Sequence, residues 1–362
     1  MWEAVRAGQI SGDGIYTAKC QELLEHSLGV PRAYLTTSCS DALELAALLL
    51  NVEPGDEFIV PAFTFVSAPN AFVLRGARPV FVDIRADTLN LDEAQLAAAI
   101  TARTKAIVPV HYAGVGCAME EICAVAAARQ VPIVEDNAHG LFAKYRGRYL
   151  GTFGALATHS FHETKNFSCG EGGALLVNDA RLIERAEIVR QKGTDRSRML
   201  RGQVDKYTWV DIGSSFSPSD LLAAFLLAQL EQRAAISLAR RRAWKRYHEE
   251  LRDWAAANQV QLPFVPPECE QSHHIYYLRL PTSQERDRFI RHLREREILA
   301  VVHYQPLHLS AMGRRFGGQP GDFPVTEENA ARLVRLPLYN SITPEEQQRV
   351  IESVRDFRTG SG

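Results

Sequence analysis

Apolar residues in the first two thirds of the chain come as short runs separated by longer amphipathic stretches. The runs RAYLTT (32–37), EFIVPA (57–62), RPVFVDI (78–84), AIVPVHY (106–112) and VPIVED (131–136) are rich in Val and Ile, and several are apolar on both faces. Strands covered on both sides of a parallel sheet read this way. Between them, SDALELAALLL (40–50), SAPNAFVLRG (67–76), DEAQLAAAI (92–100) and MEEICAVAAARQ (119–130) carry helical spacing. Strand–helix alternation predicts an α/β domain around a mostly parallel sheet, with ligands bound beyond the carboxyl ends of its strands. Ser40, Phe65, His111 and Asp136 all fall just past predicted strand ends.

Near Ser219 the pattern changes. Residues 219–256 read as one long helix, straight or bent. HHIYYLRL (273–280), a helix from about Gln284 to Arg296 and ILAVVHY (298–304) then suggest a smaller α+β domain. A chain of 362 residues exceeds what one core usually fills. The expected division is a large α/β domain over 1–235 and a small C-terminal α+β domain over 236–362. The terminal TGSG reads as a floppy end.

Composition excludes several classes. Lys and Arg total 41 against 43 Asp and Glu, with no block of like charge, which argues against nucleic acid or an anionic membrane as partner. No apolar stretch reaches the length of a membrane span, and MWEAVRAGQISGDG has no apolar leader core. Six scattered cysteines without a CxxC pair suit reduced thiols and a cytoplasmic location. His273, His274, His303 and His308 match no zinc spacing, so no metal is expected. GVG at 114–116 lacks the third glycine of a dinucleotide fingerprint, and SCS at 38–40 is no hydrolase elbow.

The segment SFHETKNFSCGEGG (160–173) carries the chemistry. It places Lys165 in a polar stretch ending in glycines 170, 172 and 173, ahead of the strand-like ALLVN (174–178). Asp136 ends an apolar run, where an unpaired carboxylate is costly. A lysine near such an aspartate, with small hydroxyl residues around, suits pyridoxal 5′-phosphate (PLP), whose aldehyde needs an amine and whose pyridinium needs an anion. Strand alternation must choose between Asp136 and the adjacent Glu135. Ser40 opens a helix, as a plain cap or as part of a phosphate site at the helix N-terminus; Ser160 is a second hydroxyl for that phosphate. Phe65 is a stacking aromatic or a core residue, and His139 a contact to the phenolic oxygen or a helix-face histidine.

With those residues in hand, the chain resembles the DegT/DnrJ/EryC1/StrS sugar aminotransferases, PLP enzymes of fold type I, the aspartate aminotransferase-like fold. The supporting strings are SGDG (11–14), NAFVLRGA (70–77), VPVHYAG (108–114), SFHETKN (160–166), RGQVDKYTW (201–209), DIGSS (211–215) and LPLYNSIT (336–343). Within the family the likeness is to the branch making dTDP-4-amino-4,6-dideoxygalactose. The resemblance implies that Lys165 is the Schiff-base lysine and Asp136 the pyridinium partner. It implies that His139 lies beside the phenolic oxygen, that Phe65 stacks on the ring, and that Ser40, the Cys39 backbone and Ser160 hold the phosphate. It implies a homodimer with shared sites, in which 213–220 reaches across and Ser215 contacts the partner's phosphate. Many members have Gly-Thr at Cys39-Ser40, and Asn and Arg at Ser215 and Ser217.

The implied reaction takes the amino group of L-glutamate, leaving 2-oxoglutarate and pyridoxamine 5′-phosphate (PMP), and delivers it to C4 of a dTDP-linked 4-keto-6-deoxyhexose. Lys206, Tyr207, Tyr304 and His308 are the candidates for substrate contact. The rivals are amination at C3 and a non-catalytic regulator on the same fold.

Overall fold

The computed structural model describes residues 1–6 and 8–360, so the last two residues of TGSG lie outside the described residues. Seven strands build the main sheet: β1 (Arg32–Thr36), β2 (Glu57–Pro61), β3 (Arg78–Val82), β4 (Thr104–Ile107), β5 (Val134–Asp136), β6 (Leu156–Ser160) and β7 (Gly173–Val177). Their order is β3-β2-β4-β5-β6-β7-β1, the two halves being joined by parallel bridges Ile107↔Ile133 and Val110↔Asp136. Only β7 is antiparallel to its neighbours. Every residue of β7 is buried: Leu175 and Val177 enter the core on one face, Ala174 and Leu176 that on the other. Layers on both faces explain why the runs are apolar throughout rather than alternating.

The structure departs from the predicted elements where local chemistry overrides the pattern. AIVPVHY stops being a regular strand at Ile107 because Pro109 has no N–H to give; its carbonyl still accepts from Asp136 N–H at 2.9 Å. LATHS, unremarkable in sequence, forms β6 because β5 and β7 flank it on either side. The 92–100 stretch is a 3-10 turn followed by one α-turn. The long C-terminal helix breaks at Gln232 with a 65° bend, and again at Leu251.

The bend separates two packing environments. Leu226, Leu227 and Leu230 pack against Leu24, Leu35 and Leu176 beside the main sheet. Trp244 and Tyr247 join another core with Leu278, Phe289, Leu293, Val334 and Ile351. That core carries β8 (Tyr276–Arg279) paired antiparallel with β9 (Leu333–Leu336). ILAVVHY is not a strand: only Val301 pairs, with Arg335 of β9, and Leu299 is 76 % exposed. It forms an extended strap that carries His303 and Tyr304 toward the main sheet. Among the described residues no single helix is long and apolar enough to cross a membrane.

Candidate active site

A cavity of about 860 Å³ opens beyond the carboxyl ends of β1, β5 and β6, roofed by the strap and β9. Cys39, Ser40, Phe65, Asp136, His139, Ser160, Lys165 and Tyr304 all line it.

One end is a helix N-terminus. The helix Cys39–Leu49 is capped by Ser38, whose Oγ accepts from Asp41 N–H at 3.0 Å. The predicted start at Ser40 is therefore one residue late, and Ser40 is not the cap. Its hydroxyl is free of that duty and meets Ser67 Oγ at 2.7 Å. Cys39 and Ser40 occupy the first two helical positions, where backbone N–H groups have no partner within the helix and the dipole is positive. The start of β7 presses on this turn. A Cβ on Gly173 would come within 2.4 Å of the Ser38 carbonyl and 2.5 Å of Cys39 N. Backbone cannot yield at those distances. Gly173→Ala is expected to displace the helix start, lower stability by roughly 1–3 kcal/mol and weaken cofactor binding more than tenfold, by about one unit of log Kd or more, as measured by melting and PLP titration.

The base of the cavity is Asp136. The pleat of β5 sends the neighbouring Glu135 to the other side, where Gly151, Phe153 and Gly154 N–H donate to it at 2.8, 2.6 and 2.7 Å and His111 Nε2 lies at 3.0 Å. Burial alone would raise the Glu135 carboxyl, but the His111 hydrogen bond and these N–H groups hold it low. Among the described residues Asp136 accepts only Ala138 N–H, at 3.1 Å. Burial therefore pushes its carboxyl up, against the pull of that N–H and of Lys165. Burial likewise pulls the Lys165 ammonium down, against Cys39 and Asp136. No salt bridge joins the two among the described residues, although each feels the other's charge.

His139 sits beside them. Its Nδ1 faces Ala113 N–H at 3.3 Å and so is the acceptor, which leaves the proton of the neutral ring on Nε2. That Nε2 lies 3.4 Å from Tyr304 Oη. Burial, with Lys165 and His303 nearby, pulls the imidazole well below its ordinary value, so it stays neutral. The ring centre lies 4.3 Å from that of His274, the two planes tilted by 32°.

Other expectations meet the structure differently. Phe65 is 56 % exposed, a cavity rim residue rather than core. Ser215, Lys206 and Tyr207 are exposed and do not line the cavity. His308 is corrected: it is fully buried away from the cavity, with Nε2 2.9 Å from Glu327 and Gly313 and Gly318 packed on its backbone. Its chemistry is structural. Sequence reasoning missed Arg335, Ser67, Thr64 and Asn340 and weighed His274 and His303 only as metal ligands; all six also line the cavity. Asn340 lies within LPLYNSIT, but nothing local assigns it or the others to the site; their segments meet only in three dimensions.

The cavity fits PLP on its own features. One end offers unpaired N–H groups, the Ser40, Ser67 and Ser160 hydroxyls, and the orphaned buried hydroxyl of Thr64. The base offers a single under-satisfied carboxylate, and the wall a desolvated amine. Sheet order and site together define a fold type I, PLP-dependent aminotransferase.

The family model described as DegT/DnrJ/EryC1/StrS aminotransferase matches residues 1–355, and the chain belongs to that family. The spore coat polysaccharide biosynthesis protein SpsC of Bacillus subtilis is 33% identical over 342 residues, 92% of this chain and 87% of SpsC. Spr1654 of Streptococcus pneumoniae, named as a sugar aminotransferase and solved in PLP form, superposes with a TM-score of 0.90 at 28% identity, over 98% of this chain and 93% of that one. DesV of S. venezuelae, solved with a ketimine intermediate, gives 0.88 at 30% identity, over 98% and 91%. PLP is the cofactor of this protein, and Spr1654 is also known in its PMP form.

Proposed function

We propose that this protein moves the amino group of L-glutamate to C4 of dTDP-4-keto-6-deoxy-D-glucose, giving a dTDP-4-amino-4,6-dideoxyhexose and 2-oxoglutarate. The observation that carries the reading is the placement of Lys165 and Asp136 in one cavity, each held away from its comfortable charge state by burial. The dTDP-sugar substrate and the C4 position rest on the strings SFHETKN and RGQVDKYTW.

In this reading Cys39 and Ser40 hold the cofactor phosphate at the helix N-terminus, with Ser160 beside them. Asp136 holds the pyridine nitrogen protonated. His139 donates from Nε2–H to the phenolic oxygen, the only polarity its tautomer allows. PLP, when bound, supplies an electron sink for the carbon bearing the transferred nitrogen. Lys165 Nζ takes the proton from that carbon in the donor and returns one to the sugar carbon. A neutral amine is required, and burial provides it below the pH at which a free lysine would.

We read the enzyme as a cytoplasmic homodimer, with a large domain to residue 235 and a small one beyond. Six free cysteines support the compartment. Trp209 (79 % exposed), with Tyr207, Val210 and Ile212, forms an apolar surface beside Ser215 that a second copy would cover. Lys206, Tyr207 and Ser215 then act in the partner's site.

The test is incubation with glutamate and dTDP-4-keto-6-deoxyglucose, followed by NMR of the sugar product. Nitrogen at C4 is the expected outcome, and the ring-proton couplings there give its axial or equatorial setting. Nitrogen at C3 refutes the regiochemistry. A PLP-binding protein that accepts nitrogen from no donor is the regulator instead.

A further inference from the structure

The loop that carries Lys165, residues 161–172, leaves the sheet after β6 and returns as β7. Its own backbone closes the stem: Phe161 N–H donates to Gly172 O and Glu163 N–H to Gly170 O, both at 2.8 Å. The tip has little of this support. Among the described residues Thr164 and Lys165 hydrogen-bond only to His162. Asn166, the next residue, is buried and bonds to three residues at least 106 positions away. Its Nδ2 donates to Ser272 O at 2.8 Å, and its Oδ1 lies 2.9 Å from His274 Nδ1. Its backbone carbonyl accepts from Asn340 Nδ2 at 2.9 Å.

Those partners are themselves fixed. Ser272 Oγ donates to His139 O at 2.5 Å, and Ser272 N–H to Gly114 O at 3.2 Å. The buried Arg240 clasps the His273 and His274 carbonyls and donates to Asn340 Oδ1 at 2.8 Å. His273 has a φ of 55°, an uncommon and strained backbone for a residue other than glycine. The residues on either side of it both meet Asn166. The polarity of the junction is determined as well. A carbonyl can only accept, so Asn166 turns its amide N–H to Ser272 and its oxygen to His274. Burial, with His139 and Lys165 nearby, keeps the His274 ring neutral, so its one proton lies on Nδ1. His139, with its ring centre 4.3 Å away, holds the opposite tautomer.

We propose that Asn166 is a positioning residue for the reaction. It ties the Lys165 tip to the 272–274 segment, which also holds His139 and leads into β8, and so sets where the amine stands in the cavity. Asn166 does not line the cavity itself, so it acts through Lys165 and His274. A displacement of about 1 Å at a reacting group lowers a rate by about a hundredfold, which is why a tip with so few bonds of its own needs this one. The proposal rests on Lys165 as the reacting amine.

The test compares wild type with Asn166→Ala and Asn340→Ala, each loaded with PLP and each cofactor-free. Asn166→Ala is expected to lower kcat about ten- to a hundredfold, with KM for glutamate and for the nucleotide sugar within about threefold of wild type. The second reading needs no turnover. In wild type, burial and Arg335 hold the Lys165 ammonium down, against Cys39 and Asp136. A loosened tip returns the amine to water, so the pH midpoint for chemical modification of Lys165 in cofactor-free protein, read by mass spectrometry, should rise by about half a pH unit or more. Asn340→Ala removes one tie from outside the loop and should move both readings the same way by less. It carries the test should the Asn166 variant fold poorly. A kcat within about threefold of wild type, or an unmoved midpoint whatever the melting temperature does, overturns the assignment. Borohydride trapping of PLP-loaded wild type that places the cofactor on another residue refutes the reading of Lys165 instead, so the two failures are distinct.

Discussion

Replacing Lys165 by Ala is expected to leave a folded protein whose turnover has fallen by about 10⁴-fold or more, because nucleophile and proton carrier are lost in one side chain. Its backbone N–H donates to His162 O at 2.9 Å, a turn that alanine keeps. The wall also survives, since Asp136, Ser40 and Ser160 sit on other elements. PLP should therefore still bind, but the absorbance of wild-type holoenzyme should be replaced by that of the unattached aldehyde. Adding a primary amine should restore a small fraction of the rate. Turnover within about tenfold of wild type would show that another group carries the proton.

Asp136→Asn is expected to lower the rate of both half-reactions by about 10²- to 10⁴-fold, the range that follows from losing one partner of a buried charge pair. The substitution conserves shape and removes only the anion. The wild-type carboxyl also leaves a pH signature. Its pKa in the folded chain is raised above the ordinary 3.8 by burial. A raised acid contributes stability that is present below the unfolded pKa and lost as pH rises through the folded one. Cofactor-free protein should therefore lose stability across that window, PLP should restore it by supplying a cation, and Asp136→Asn should remove the dependence. Melting of wild-type and variant protein, with and without PLP, from about pH 4 to 7 reads all three. A variant with wild-type kinetics would move the pyridinium contact to another residue.

Much of the site was legible because its chemistry is tied to local rules. Asp136 closes an apolar run and Lys165 sits before a glycine cluster, and both facts hold at the level of the chain. The glycine cluster ending at Gly173 is visible in the chain, but that Gly173 abuts the Ser38 carbonyl is not. The cap at Ser40 falls two residues late because Ser38 and Ser40 are equally good caps in isolation, and only the observed backbone at Ser38 distinguishes them. His308 misled for a different reason. A histidine in HYQPLH has the same donors whether it faces a substrate or Glu327, and burial decides which.

What the sequence by itself determined is the strand–helix alternation of an α/β domain, the family, and the two residues with opposite charge demands. These follow from periodicity and from chemistry that admits few substitutes. What only the tertiary structure decided is the set of groups gathered around them: the Glu135–His111 pair turned to the far face, the tautomer of His139, and an unpaired Arg335 brought in on β9. Those facts depend on distances between segments far apart in sequence, and no local pattern records such distances.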